Sequence, residues 1–245
     1  MRISRIHVDS ALVAGSSLPL DRDTSHYLGK VLRAQASDPL VVFNSDNGEF
    51  SAQVESVSKQ AVVISVGDQL QAASPPALTI HLGLGLSRGD RMDFAVQKST
   101  ELGVMRLTPV YTEFGDVRIK QSERAENKRR HWQRIAINAC EQSGRIMVPK
   151  LDAPEPLAQW LADREAGYSI ILDPTAELRL SKDNDGNELT QVNLLIGPEG
   201  GFSKQEIQQA EDSGFVRRSL GTRILRTETA PVAALAILQH LYGDM

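Results

Sequence analysis

Two rhythms of apolar and polar residues divide the chain. Up to about residue 72, short apolar–polar alternations dominate, and strict alternation puts one face of a strand in a core. Residues 2–8 (RISRIHV), 39–44 (PLVVFN), 49–57 (EFSAQVESV) and 61–67 (AVVISVG) read as strands. Ser45-Asp46-Asn47-Gly48 between two of them predicts a hairpin, because Asn-Gly tolerates the positive φ of such a turn. One helical stretch interrupts them, residues 24–35, with Tyr27, Val31 and Leu32 on one face. Residues 1–72 therefore read as a small β-barrel with one helix.

Residues 71–77 (QAASPPA) are small and Pro-rich, a linker. Beyond them, apolar runs alternate with stretches of helical period. Strands are expected at 78–84, 104–110, 168–174, 192–197 and 215–220. Helices are expected at 90–103, 122–143, 203–213 and 230–242. Met92, Ala95, Val96, Ser99 and Leu102 form one stripe, and Gly103 ends that helix. Trp132, Ile135, Ala136, Ala139 and Cys140 form another. Strand–helix alternation implies an α/β domain with a mostly parallel sheet over residues 76–245.

Composition narrows the class. With 41% hydrophobic and 24% charged residues the chain is globular, and no run approaches the ~18 apolar residues that span a bilayer. The single cysteine excludes an internal disulfide and suits a reducing cytosol. Five scattered histidines give no local metal motif. A net charge of −4 argues against a general nucleic-acid coat but leaves room for local basic patches.

Two stretches exceed what a fold needs. In 194–207 (LLIGPEGGFSKQEI) an apolar strand runs into Gly197-Pro198-Glu199-Gly200-Gly201, and a helix starts at once behind a Ser203/Glu206 capping box. Ligands of parallel sheets bind beyond the carboxyl ends of strands, and glycines there let a ligand reach the backbone. A tight turn needing glycine for its own geometry explains the pattern equally well. In 219–238 (SLGTRILRTETAPVAALAIL), Arg223, Arg226 and Glu228 lead into a helix apolar nearly all round, with Thr229 as the expected N-cap. Such a helix is buried in the core or against a partner chain. A third pattern, Gly83-x-Gly85-x-x-x-Gly89, comes close to a dinucleotide fingerprint but is one residue too long.

ELGV at 101–104, CEQSGR at 140–145, LLIGPEGGFS at 194–203 and LGTRILRTETA at 220–230 occur in one chain, with RIHV at 5–8 and HYLGKVLR at 26–33. Together they resemble the RsmE family of rRNA uridine-N3 methyltransferases, of the SPOUT class. The resemblance implies a PUA-like β-barrel followed by a SPOUT (α/β trefoil-knot) methyltransferase domain. It implies a cytoplasmic homodimer that uses S-adenosyl-L-methionine to methylate N3 of a uridine in 16S rRNA of the small ribosomal subunit, without metal or membrane. The family's cofactor loops match Leu172, Ile196, Gly197, Glu199, Gly200, Gly201, Leu220, Gly221, Ile224, Leu225 and Arg226. Two places depart from the family: Phe114 stands where an arginine often follows the glutamate that corresponds to Glu113, and a glycine is usual near Ser37, before the strand at 39–44.

Uracil N3 attacks as an anion, so the enzyme must steady charge on O2 and O4, a task suited to arginine. Arg226 and Arg145 are candidates for it. Glu141 and Glu228 are candidates to accept the N3 proton or to orient those arginines. Lys128, Arg129 and Arg134 on one helix, beside Arg130, could meet RNA phosphates. Arg5, Arg22, His26, Lys30 and Arg33 could extend that patch onto the barrel. The competing readings are an NAD(P)-dependent oxidoreductase using the Gly83–Gly89 pattern and a non-catalytic RNA-binding or ribosome assembly factor.

Overall fold

The computed structural model describes residues 3–58, 60–115, 122–181 and 189–245. The chain forms two compact units. One holds residues 1–75 with 140–148, the other 76–139 with 149–245. Residues 140–148, read from sequence as part of the second domain, thus group with the first.

The first unit is a five-stranded sheet: β1 (Ser4–His7), β2 (Ser17–Pro19), β3 (Pro39–Asn44), β4 (Gly48–Val57) and β5 (Val62–Gln71), in the order β1-β3-β4-β5-β2. β1 pairs parallel with β3, and the other pairs are antiparallel. Three register shifts between β4 and β5 mark bulges, which bend and twist a sheet around its core. Alternate residues Leu40, Val42, Phe50, Val54, Val62 and Ile64 fill that core. The expected hairpin is present. Asn44 Oδ1 accepts from the Asp46 and Asn47 amides, and Gly48 sits at φ +97° with no room for a Cβ.

The expected helix at 24–35 is different in kind. It is a short α1 (Arg22–His26) capped by Asp21, followed by a single π turn over Tyr27–Val31. Its inward residue is Leu28, fully buried, while Tyr27, Val31 and Leu32 lie exposed. The widened turn rotates the anticipated core stripe to the outside.

The second unit is a seven-stranded sheet in which every pair is parallel. Its elements are β6 (Thr79–Gly85), α2 (Asp90–Glu101), β7 (Arg106–Tyr111), α3 (Ser122–Ser143), β8 (Lys150–Leu151), β9 (Glu155–Pro156), α4 (Leu157–Asp163), β10 (Tyr168–Leu172), β11 (Gln191–Ile196), α5 (Lys204–Asp212), β12 (Val216–Arg218) and α6 (Thr229–Tyr242). The strand order is β12-β10-β11-β6-β7-β8, with β9 also on β7. The central strands read as continuous apolar runs because both of their faces are covered. Leu82, Leu84, Ile170, Leu194, Met92, Val96, Trp132, Ala136, Leu235 and Leu238 share the larger core.

α6 is not buried on every side. Ala234, Leu235, Leu238 and Gln239 face the core and Ile237 packs at its margin, whereas Val232, Ala233 and Ala236 are half-exposed. No helix among the described residues is long and apolar enough to cross a membrane.

Candidate active site

The carboxyl ends of β10, β11 and β12 open into a cleft of about 480 Å³ within the second unit. Three stretches of chain wall it. Leu172, Asp173 and Pro174 leave β10; Ile196, Gly197, Pro198, Glu199, Gly201 and Phe202 leave β11; residues 218–228 connect β12 to α6. The two glycine-bearing segments thus meet across one crevice. Gly201 at φ +71° and Gly221 at φ +108° have nothing within 4 Å of where a Cβ would stand, so both open the backbone toward the cleft.

Local chemistry fixes these walls. The Ser203 hydroxyl accepts from the Glu206 amide at 3.2 Å, and Glu206 Oε2 accepts from the Ser203 amide at 2.9 Å, the expected capping box. The other Glu206 oxygen accepts from the Glu113 amide at 2.7 Å, which ties residues 112–115 to the start of α5. Gly85, at the end of β6, lies so close to the turn that a Cβ would stand 2.4 Å from Pro198 N.

Asp173 is buried, and burial works to raise its carboxyl. The Thr175 amide and hydroxyl and the Arg217 guanidinium, at 2.8, 2.8 and 2.7 Å, outweigh that and hold it below the usual range. Arg217 thereby clamps the β10 exit to β12.

Electrostatically, the mouth carries Arg91, Arg218, Arg223 and Arg226 against Glu199 and Glu228. Arg91 Nη1 meets Glu199 Oε1 at 2.6 Å, and that bond raises the Arg91 guanidinium, with a smaller push from Glu228. Arg226 is exposed, and its carbonyl accepts from the Thr229 and Ala230 amides at 2.8 and 2.9 Å, fixing the entry to α6. Thr229 is the first helical residue rather than the cap. Glu228 occupies the cap position but makes no side-chain capping bond. Its Oε2 is buried without a partner, an arrangement that invites a ligand donor because an unpaired buried acceptor costs free energy.

Of the residues expected to hold a cofactor, Leu172, Ile196, Gly197, Glu199, Gly201, Leu220, Gly221, Ile224 and Leu225 line this cleft; Gly200 does not. Gly200 packs on Phe114 instead, where a Cβ would stand 2.7 Å from the Phe114 Cβ. Arg226 and Glu228 line the cleft as well. Glu141 and Arg145 are not among its lining residues. Glu141 Oε1 accepts from the His7 amide at 3.1 Å, and burial raises its carboxyl against the pull of that amide and of Arg5. The Arg145 carbonyl accepts from Arg5.

Arg5, expected as an RNA contact, is engaged within the first unit. Only 13% of its side chain is exposed; it pairs with Glu49 at 2.5 Å, donates to the Cys140 carbonyl and stacks 3.6 Å from the Phe43 ring centroid. Arg22, His26, Lys30 and Arg33 are exposed on the first unit. Lys128 and Arg134 are exposed on α3, but Arg129 spends its guanidinium on Glu126 at 2.6 and 2.8 Å.

Sequence reading missed Arg91, Asp173, Arg218 and Phe202 as cleft residues. Asp173 was visible as the acidic residue ending the strand YSIILD, whereas Arg91 comes from a helix far away in sequence. The Gly83–Gly89 pattern has another explanation. A Cβ at Gly83 would stand 2.7 Å from the Trp160 indole, and Gly85 meets Pro198, so these glycines serve close packing.

The profile of an RNA methyltransferase domain matches residues 74–239, and that of an RNA methyltransferase PUA domain matches residues 20–67. Along its whole length the chain is 36% identical to ribosomal RNA small subunit methyltransferase E of Buchnera aphidicola from Schizaphis graminum, 98% of which it covers. The chain belongs to the ribosomal RNA small subunit methyltransferase E family. The first unit, matched over residues 20–67, is accordingly PUA-like, and the parallel-sheet unit has the SPOUT α/β trefoil-knot class of fold. Two solved structures cover both chains completely. A Legionella pneumophila methyltransferase with bound S-adenosylmethionine matches with a TM-score of 0.91 and 38% identity. The Neisseria gonorrhoeae methyltransferase E bound to S-adenosylmethionine matches with a TM-score of 0.87 and 32% identity. Among the described residues, no group of His, Cys, Asp and Glu side chains could hold a metal ion.

Proposed function

We propose that this protein transfers a methyl group from S-adenosylmethionine to N3 of a uridine in 16S rRNA, acting in the cytoplasm as a homodimer. The observation that carries the reading is the cleft itself. Two glycine-bearing segments face one another across it, and Arg226 and the unpartnered Glu228 oxygen stand on its lining. The residues present fit the methyl donor. Leu172, Ile196, Leu220 and Leu225 offer apolar surface to a purine, open glycine backbone offers hydrogen bonds, and the acidic groups suit a cation.

S-adenosylmethionine supplies an electrophilic methyl on a sulfonium centre. The chain supplies position and charge. The walls after β10, β11 and β12 hold the donor in line with the base, and ideal alignment lowers a barrier by roughly 7–11 kcal/mol. Arg226 stabilises negative charge on O2 or O4 as N3 gives up its proton. Glu228 Oε2 accepts that proton or orients Arg226. Because an anion and a cation combine to neutral products, a dry cleft speeds the step. Exposed cations on α3 and on the first unit supply sequence-independent phosphate contacts. The half-exposed apolar face of α6 is the surface offered to a second copy of the chain.

The test is a thermal-shift scan with S-adenosylmethionine, S-adenosylhomocysteine and NADPH. A true ligand at a hundred times its dissociation constant adds about 2.7 kcal/mol of stability. Stabilisation by both sulfur compounds and none by NADPH supports the reading. The reverse pattern returns the oxidoreductase, and no response to any of them leaves a non-catalytic RNA-binding protein.

A further inference from the structure

Outside the cleft, the most unusual surface of the molecule is the π turn of the first unit. Leu28 is its anchor, fully buried, and the Leu32 amide bonds across the widened turn to the Tyr27 carbonyl at 3.0 Å. That bond stacks Leu32 one turn from Tyr27 and leaves Tyr27, Val31 and Leu32 exposed at 40, 60 and 39%. Val57, also exposed, adjoins the same turn at Gly29. Three apolar side chains, one aromatic, are thus held in water on a short, irregular element, with Val57 at the end of β4 beside them. Single π turns of this kind concentrate at functional sites.

The backbone leaving the turn is strained too. Arg33 has φ +53°, a conformation that L residues with side chains rarely adopt. Arg22, His26, Lys30 and Arg33 are all exposed and alternate along the sequence with the apolar residues. Of the nearby acids, Asp21 spends its carboxylate capping α1, accepting from the Asp23 and Thr24 amides and the Thr24 hydroxyl.

We propose that Tyr27, Val31 and Leu32 form a stacking platform for unpaired RNA nucleotides, with Arg22, Lys30 and Arg33 holding the phosphates on either side. Cations alone suit any nucleic acid. An exposed ring with apolar neighbours suits a base face, and duplex RNA keeps its base faces stacked inside the helix. Mixed cationic and aromatic surfaces recognise single strands in this way. The platform therefore selects unpaired RNA, the only state in which uracil N3 is free of its pairing partner. This inference deepens the proposed methyl transfer and rests on that reading for its biological substrate.

The experiment uses the full chain, labelled oligouridylate, and the duplex of that strand with oligoadenylate, measured by fluorescence anisotropy over a salt series. Wild type should prefer the single strand. Tyr27→Ala should weaken oligouridylate binding by about tenfold, with no change in the slope of log affinity against log salt. Tyr27→Trp should restore binding, which a merely structural role for the ring does not predict. Lys30→Ala should lower the salt slope by about 0.7, the loss of one phosphate contact. A far-UV circular dichroism spectrum and a urea unfolding curve that match wild type show that Tyr27→Ala is folded.

The platform is overturned if Tyr27→Ala binds within about twofold of wild type, if Tyr27→Trp is as weak as Tyr27→Ala, or if duplex and single strand bind alike. Retained RNA affinity after replacing Tyr27, Val31 and Leu32 together by serine assigns the patch to a protein partner and also overturns it. Methyl transfer is scored separately on wild type. Loss of oligouridylate affinity in the Tyr27 variant of a protein that methylates no rRNA would keep the platform and reject the proposed reaction.

Discussion

Replacing Gly85 by alanine tests whether the glycine turn after β11 is held where the methyl donor needs it. The new Cβ would stand 2.4 Å from Pro198 N, 2.5 Å from Pro198 Cδ and 2.8 Å from Gly197 C, against an ordinary contact of 3.4–4 Å. About 1 Å must be found, and the obstructing atoms are main chain and ring rather than a side-chain tip. β6 is paired on both edges, with β11 and β7, so the turn is the part that yields. Overpacking of this size costs about 1–3 kcal/mol. If it is released by moving residues 197–201 outward, it appears as a loss of donor affinity of about 5- to 150-fold.

Gly83→Ala is the control. Its Cβ would press on the Trp160 indole at 2.7 Å instead, and Gly83 does not line the cleft. That variant should lose comparable stability but keep its affinity. Calorimetric titration with S-adenosylmethionine and urea unfolding of both variants decide the matter. Wild-type affinity in Gly85→Ala, or equal affinity losses in both variants, would refute the reasoning.

Arg226→Ala should abolish methyl transfer while donor affinity and melting temperature stay near wild type; turnover within about tenfold of wild type removes Arg226 from the reaction. The buried His81 imidazole is held down at about 4, first by burial and then by Arg106, with Asp152 opposing. Its folded pKa lies below the unfolded value, so its contribution is complete above pH 6.5 and is lost as pH falls toward 4. Urea unfolding should therefore show a loss of about 3 kcal/mol across that window, reduced in His81→Asn. Ser37 sits at φ +74°, which explains why glycine suits that position. Ser37→Gly should raise stability by about 0.5–1 kcal/mol, the relieved strain exceeding the entropy glycine adds to the unfolded chain. Val232→Asp on the half-exposed face of α6 should shift sedimentation from dimer to monomer, and an unchanged profile places any dimer contact elsewhere.

Much of the second unit was legible because its strands are continuous apolar runs and its helices carry clear stripes. Helix α3 spans Ser122–Ser143, as its period indicates. α4 was missed although Leu157, Trp160 and Leu161 have helical spacing, because three prolines nearby suggest loop and the helix is only seven residues long. In the first unit, the period of residues 24–35 misled because a π turn does not keep the 3.6-residue repeat, so Leu28 rather than Tyr27 faces inward. Most of the cleft was readable from its two glycine-bearing segments. The contact of Gly200 with Phe114 was not legible, because sequence cannot tell a glycine opened toward a ligand from one pressed against a neighbouring side chain. The surroundings of Arg5 were hidden for a related reason: only the fold reveals the Glu49 and Phe43 that engage it.

The most direct test of the central claim is mass-spectrometric mapping of 16S rRNA from cells that lack this protein, complemented with wild type or with Arg226→Ala. The expected result is one uridine that loses a single methyl group in the deletion strain, regains it with wild type and stays unmodified with the variant. Small-subunit rRNA carrying identical methylation in all strains would contradict the assignment of the cleft to methyl transfer.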